Sequence, residues 1–534
     1  MNDSVLRIIA AISATGLFLM CSWKLLGAMQ QSGYKSRTFW RWLRKKENLF
    51  YNRLAVYALC VFLTTTVTAL SFSFLGVRMA LLISAVPFMG FGLYFCYADE
   101  KYALKIPVKP TGRLGRLTAA YALFTACVSY VLIAVLAFLA KINGSNLYAL
   151  IAYVPFAVMP LLLPILLFLA NAFMGIFEDA RNNKFVKRAG QVLDKKEILR
   201  IAVVGSYGKT SVKNILESIL SEKYAVAATP ASYNTPIGIA KTVHSPDFQG
   251  KEVLLAEMGA RRAGDIAQLC EIVKPEYAIL TGVCEQHIET FGSLKNVWQA
   301  KKEVFDYAQK VVCGSDLQKW VTQESLQTRE KAIFSNAVKI KDVCLQATKT
   351  DFVLCINGEE FSIQTKLLGN AAVENILLSA MLAHELGLTA QDIVRGIEKI
   401  EYIPHRLQLL ERNSIYIIDD GYNCNPKGAE ESLLALARFA GKKCVVTPGI
   451  VECGVLEEEI NGKLGEQIAK HGFDKVILVG DTLVGTVKKG YVQAEGDMDK
   501  LFNAKTLEDA SAMLSDWLQS GDAVLFLNDL PDVF

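Results

Sequence analysis

Charge is scarce in this chain: Asp, Glu, Lys and Arg make up 21% of its 534 residues, against 52% hydrophobic residues. A sequence this apolar is not disordered, and it is greasier than an ordinary soluble enzyme. Histidine is scarcer still, five in all, and none of the twelve cysteines forms a Cys-x-x-Cys pair. The cysteines are scattered, four of them in apolar stretches (Cys21, Cys60, Cys96, Cys127). They read as small buried hydrophobes in a reducing compartment, with neither a disulfide framework nor a cysteine metal site. No internal repeat and no low-complexity run is present. At ~150 residues per domain the length predicts three or four domains.

What is present is uneven. The net charge of +4 conceals 23 Lys/Arg against 8 Asp/Glu in residues 1–200, and 34 against 45 thereafter. A basic, apolar first part and an acidic, mixed second part predict a membrane domain joined to a soluble one. Nucleic-acid binding is not expected, because the basic residues lie between apolar runs and not on a polar folded surface.

Five apolar stretches approach the ~20 residues that a helix needs to cross a bilayer: about Leu6–Met29, Leu54–Phe74, Met79–Tyr97, Leu117–Ala140 and Leu147–Phe177. The first has no cleavage site and is followed by more spans, so it is not a signal peptide. The fifth contains Pro155, Pro160 and Pro164 and is expected to kink, or to combine a span with an interfacial turn. Basic residues crowd alternate loops. Lys35, Arg37, Arg41, Arg44, Lys45, Lys46 and Arg53 separate the first two stretches; Lys101, Lys105, Lys109, Arg113 and Arg116 separate the third and fourth. Arg181, Lys184, Lys187, Arg188, Lys195 and Lys196 follow the fifth, while the remaining loops hold only Arg78 and Lys141. Positive charge stays cytoplasmic, which predicts a multi-pass protein of the cell membrane with its N-terminus outside and everything after about Phe177 inside. The segment Tyr34–Arg53, with Phe39, Trp40, Trp42 and Phe50 among its basic residues, reads either as a positive-inside loop with belt aromatics or as an interfacial helix.

At Leu199 the pattern changes to short β-branched runs alternating with helical ones, the mark of an α/β domain with a mostly parallel sheet. The strand Ile201–Val204 runs into Gly205-Ser206-Tyr207-Gly208-Lys209-Thr210-Ser211, followed by a helix expected over Val212–Leu220. Backbone N–H groups in such a turn make an anion cradle, where Lys209 reaches the β/γ-phosphates of a nucleotide and Thr210 a Mg²⁺. The eight-residue form of the motif would begin with glycine at position 203, which is Val203, so the loop is shortened. Glu257 stands at the end of the apolar strand run Leu254–Glu257, and His287 lies beyond another run, Tyr277–Gly282. Strand ends are where open α/β sheets bind ligands.

These motifs resemble the Mur ligase superfamily, the ATP-dependent amide ligases of bacterial cell-wall synthesis, and within it the branch that adds D-alanyl-D-alanine. The resemblance covers about residues 196–534. It rests on Gly205–Thr210, Asn234–Gly238, Glu257–Gly259, Gln286–Ser293, Ala300–Phe305, Val373–Asn375, Pro404–Arg406, Asp419–Pro426 and Glu452–Gly454, in matching order and spacing. The apolar stretches and the basic run after them give a membrane domain over residues 1–177 and a basic linker over 178–199, and the resemblance implies a P-loop central domain over 200–400 and a Rossmann-like C-terminal domain over 401–534. It further implies that a carboxylate attacks the γ-phosphate of ATP and that an amine then attacks the acyl phosphate. The nucleotide site would comprise Gly205, Ser206, Gly208, Lys209, Thr210 and Ser211, with Asn375 at the adenine and Arg406 at the phosphates. Asp420 would meet the ribose or serve the closing C-terminal domain, although its neighbours Asp419, Asn423 and Asn425 also read as turn residues. Thr210 and Glu257 would hold one Mg²⁺, and His287 and a carbamylated Lys301 a second. Lys209, His287 and Lys301 would be the catalytic group.

The departures bear on substrate. Ala371-Ala372 replaces the His-Asn pair usual in that branch, Gly282 an asparagine, and Gly421 a serine. Apolar stretches stand where the family carries a soluble domain for the UDP end of its substrate. The expectation is a ligase anchored in the bilayer, joining an amino acid or dipeptide to a carboxylate acceptor that is a small molecule or lipid-linked. Two alternatives are a polyglutamate-synthetase-like ligase and an ATP-binding membrane scaffold that does not ligate.

Overall fold

The computed structural model describes residues 3–44, 108–143, 146–231, 233–284, 288–334, 337–422, 424–451, 453–480 and 483–528. The chain forms two compact units, divided between Arg181 and Asn182.

The first unit is helical. Helices Asp3–Cys21 and Trp23–Gln31 pack with Gly112–Asn143 and with the long helix Asn146–Asp194, which continues into the second unit. Phe18, Leu26, Met29, Leu117, Tyr121 and Leu167 fill its core. A buried hydrogen bond of 2.7 Å joins the hydroxyls of Ser22 and Tyr121, a polar tie in apolar surroundings. Among the described residues two helical stretches, Gly112–Leu132 and Leu162–Asp194, are long and apolar enough to cross a membrane. The pair Arg7–Met20 and Trp23–Gln31, bent by 50°, makes a third if it is one span. These fall on the fourth, fifth and first expected stretches; the second and third lie outside the described residues. The fifth is not broken by an interfacial turn. It is one helix of 49 residues that passes through Pro155, Pro160 and Pro164 and includes the basic residues Arg181–Arg188. Proline is tolerated within such an apolar helix when neighbouring helices, Ser/Thr side chains or local 3₁₀ adjustment re-satisfy the freed carbonyls. Part of the Tyr34–Arg53 segment is helical too, over Ser36–Leu43, with Phe39 buried.

The second unit is α/β. Strands β1 (Leu199–Val204), β2 (Val226–Ala228), β3 (Val253–Glu257), β4 (Tyr277–Leu280), β5 (Lys310–Cys313) and β6 (Ala332–Ile333) form a parallel sheet in the order β2-β3-β1-β4-β5-β6. Period-two alternation serves both faces: Ala202 and Val204 enter the core with Trp298 and Phe305, while Ile201 and Val203 enter the other with Ile215, Ile376 and Met381. Buried on both faces, β1 carries no polar residue after Arg200, the pattern of a central parallel strand. A three-stranded antiparallel sheet follows, β7 (Val338–Leu345), β8 (Thr350–Ile356) and β9 (Glu359–Thr365). The C-terminal sheet runs β10 (Gln408–Arg412), β11 (Ile415–Asp420), β15 (Ala523–Leu527), β12 (Lys443–Thr447), β13 (Lys475–Val479) and β14 (Leu501–Ala504), parallel except for the β10–β11 hairpin.

Candidate active site

The site is built where β1, β3 and β4 end side by side. After Val204 the chain turns through Gly205 (φ 154°) and Gly208 (φ 72°) into the helix Lys209–Leu220, which starts three residues before the expected position. Both glycines are required. A Cβ at position 205 would lie 1.9 Å from Thr281 Oγ1, and one at 208 would lie 2.7 Å from Asn375 Oδ1. The loop is pinned by Ser206 N–H donating to Gly282 O (2.8 Å) and by the Thr281 hydroxyl donating to Tyr207 O. Ser206 Oγ is buried and has no hydrogen-bond partner among the described residues. An orphaned hydroxyl in a glycine cradle at a helix N-terminus fits a bound phosphate. Ser211 lies in the first turn of that helix.

Lys209 Nζ donates to Gly205 O at 2.8 Å and to Ser206 O at 3.3 Å, curled over the cradle. Thr210 Oγ1 donates to Glu257 Oε2 at 3.0 Å, and Asn234 Nδ2 to Glu257 Oε1 at 3.1 Å. Hydroxyl and carboxylate oxygens converging beside a phosphate cradle suit Mg²⁺, which takes few protein ligands and fills the rest with phosphate and water. Lys301, at the end of the helix Leu294–Lys301, is 3% exposed and reaches the same carbonyl as Lys209, Gly205 O, at 2.9 Å. Burial, and then the neighbouring Lys209 ammonium, lower its pKa to about 7. Its neighbour Lys302 points elsewhere, pairing with Glu324 at 2.8 Å. Lys209 is likewise lowered, by burial first, with Glu257 opposing and Arg406 adding to the shift.

That coupling brings Arg406, of the C-terminal domain, into electrostatic range of the cradle. Its guanidinium donates to Tyr422 O (2.8 Å) and lies 4.7 Å from the Tyr422 ring centroid. Flanking residues His405 and Leu407 have φ of 56° and 46°. Asp420 is buried, and its carboxylate is engaged within its own domain, accepting from Ser432 Oγ (2.6 Å) and from Leu407 N–H (3.2 Å). Burial raises its pKa. Asn375 is buried with its side chain against Gly208, on the phosphate loop. His287 lies outside the described residues, as do Asn423 and Glu452 of the quoted motifs.

Two residues with evident work escaped the sequence reading. Lys213, one turn beyond Lys209, is buried, donates to Thr229 O (2.6 Å) and Ala231 O (3.1 Å), and stands 3.9 Å from Glu257. It holds the segment leading to Asn234 against the site. The i, i+4 spacing from Lys209 was its only signal. Tyr207 occupies the space beside Gly282, where a Cβ would meet its hydroxyl at 2.2 Å.

A glycine cradle, a magnesium-type oxygen pair and a second α/β domain supplying an arginine define a P-loop nucleotide-binding protein of two domains. Residues 203–383 match the Mur ligase middle domain, and residues 405–528 the Mur ligase glutamate ligase domain. The chain belongs to the Mur ligase superfamily. It is 29% identical to the UDP-N-acetylmuramoyl-tripeptide–D-alanyl-D-alanine ligase of Escherichia coli over 52% of its own length and 64% of that protein. The enzyme of the same name from Bacillus subtilis is 26% identical, over 61% and 72%. Among solved structures, the MurF ligase of Thermotoga maritima in complex with ADP superposes with a TM-score of 0.57 at 26% identity, covering 66% of this chain and 81% of that one. MurF from Acinetobacter baumannii shares the fold, with a TM-score of 0.59 at 21% identity and coverage of 66% and 78%.

Proposed function

We propose that the chain is an ATP-dependent amide ligase working at the cytoplasmic face of the cell membrane, on a carboxylate acceptor that is lipid-linked or membrane-associated. The observation that carries the chemistry is the convergence of the orphaned Ser206 hydroxyl, the Thr210–Glu257 oxygen pair and Lys301 on one phosphate cradle. Lys209, the loop amides and Arg406 would hold the phosphates and stabilise charge that develops as the γ-phosphoryl moves to the acceptor carboxylate. Thr210 and Glu257 would hold Mg²⁺, whose part is to neutralise phosphate charge. A lysine with a pKa of about 7 is substantially uncharged at neutral pH, the state in which an amine takes up CO₂. Lys301 as a carbamate would offer a hard cation an oxygen ligand in place of a repelling ammonium. The C-terminal domain would close over the acyl phosphate and exclude water. An acceptor held in the membrane is supported by the apolar helices that precede residue 199.

The test is phosphate release by the full-length chain in detergent, with Mg-ATP and D-alanyl-D-alanine. The acceptor is either soluble UDP-muramoyl-tripeptide or a lipid extract of the host membrane. Stimulation by the extract alone is expected; stimulation by the soluble acceptor would reduce the helices to a tether. Silence with both, together with unchanged cellular function of Lys301→Ala, would favour the non-ligating scaffold.

A further inference from the structure

Tyr207 is the one bulky residue in the phosphate loop, and it is anchored at both ends. Its carbonyl accepts from the Thr281 hydroxyl. Its phenol donates to Asp316 Oδ2 at 2.5 Å and accepts from Lys427 Nζ at 3.0 Å, while that ammonium also lies 4.5 Å from the ring centroid. Asp316 follows β5 in the central domain; Lys427 opens the helix Pro426–Ala437 of the C-terminal domain. The same helix touches the central domain again through Glu431, which accepts from Asn370 N–H at 3.1 Å. Lys427 also faces Asp316 (3.8 Å) and Glu374 (4.0 Å), but these ion pairs are long and solvent-exposed and contribute little alone. The shared hydroxyl, at 3.0 Å, is the shortest of the contacts Lys427 makes across the domains.

We propose that Tyr207 is a positioning residue that couples the domains, its hydroxyl holding the phosphate loop in its binding shape by docking Lys427 of the C-terminal domain beside Asp316. Burial and the Asp316 carboxylate keep the phenol protonated far above neutral pH, so the donor is present whenever the domains meet. Gly282 belongs to the same device, since any side chain there would expel the ring. The coupling rests on the ligase reading only in taking nucleotide phosphates as what the loop binds.

The experiment uses the full-length chain in detergent as unaltered protein, Y207F, K427M and the double variant, with matched thermal unfolding midpoints as the control for folding. Mg-ADP affinity should fall about three- to tenfold in each single variant, the range for losing one hydrogen bond to a charged partner near solvent. The double variant should be no weaker than Y207F, and K427R should keep most of the affinity. Without nucleotide, trypsin should cut after Lys399 or Arg406 faster in both single variants. Unchanged affinity and unchanged cleavage, or losses that add in the double variant, would overturn the coupling. If the unaltered chain binds no Mg-ADP while Y207F still speeds cleavage, the domain coupling stands and the nucleotide reading falls.

Discussion

Two buried lysines in one site carry opposite consequences. Lys301 has one hydrogen bond to protein and a pKa of about 7, below its unfolded value. A lysine depressed in this sense adds nothing at high pH. Its penalty develops as pH falls from the unfolded pKa and is complete below about 7, where both states are protonated. Lys301→Met is therefore expected to raise the unfolding midpoint by about 2–4 °C at pH 7 and by less at pH 9, while abolishing phosphate release. Differential scanning at the two pH values checks it. In unaltered protein supplied with ¹³C-bicarbonate, a carbamate signal should appear above about pH 7 and fade below it, and be missing from the Met variant. Burial lowers the pKa of Lys213 too, with Glu257 opposing, but Lys213 differs in satisfying two loop carbonyls and standing beside that carboxylate. Lys213→Met should destabilise the protein by about 3 kcal/mol, the cost of stripping a partner from a buried pair, read as a lowered unfolding midpoint.

At the scale of elements, the phosphate loop and the ends of β3 and β4 form one packing problem, and the departures from the family pattern are solved together. The resemblance puts an asparagine where this chain has Gly282, and here the Tyr207 ring lies against that glycine, 2.2 Å from where a Cβ would stand. Restoring the asparagine alone should therefore be harmful. Gly282→Asn is expected to weaken Mg-ADP binding about tenfold or more through overpacking, and Gly282→Asn combined with Tyr207→Ser should recover affinity to the level of Tyr207→Phe. Titration calorimetry on the three variants decides. The loop itself was readable because strand, glycines, lysine and helix are contiguous. Spacing alone does not separate Lys301 from its neighbour Lys302, since adjacent residues on a helix point ~100° apart; the fold puts Lys301 on Gly205 O and Lys302 on Glu324. Strands β7–β9 went unread for a related reason: β7 is mostly exposed, so its pairing with β8 more than its burial makes it a strand.

At the scale of the molecule, the proposal sets both Mur ligase domains on the cytoplasmic side. Protease added to sealed right-side-out membrane vesicles should leave residues 200–528 intact, and the same protease on inverted vesicles should degrade them. Digestion in right-side-out vesicles would reverse the charge-based orientation. The long helix Asn146–Asp194, at 49 residues, far exceeds the ~20 that cross a bilayer. It carries the chain from the apolar first unit into the second without a change of element, so composition marks the boundary more sharply than secondary structure does.

Properties that depend on neighbours along the chain were determined by the sequence alone: the apolar helices, the phosphate loop, β1, β3 and β4, and the family to which their order belongs. Hydrophobic periodicity and turn chemistry act over a few residues and leave their mark in one strand of text. Tertiary structure alone decided which groups meet. It set Lys301 and Lys209 on one carbonyl, placed Lys213 beside Glu257, turned the Asp420 carboxylate toward Ser432, and brought Lys427 to Tyr207 across 220 residues. Contacts at such separations are fixed by the packing of whole domains, and burial, which shifts the pKa of Lys301, exists only once that packing has formed.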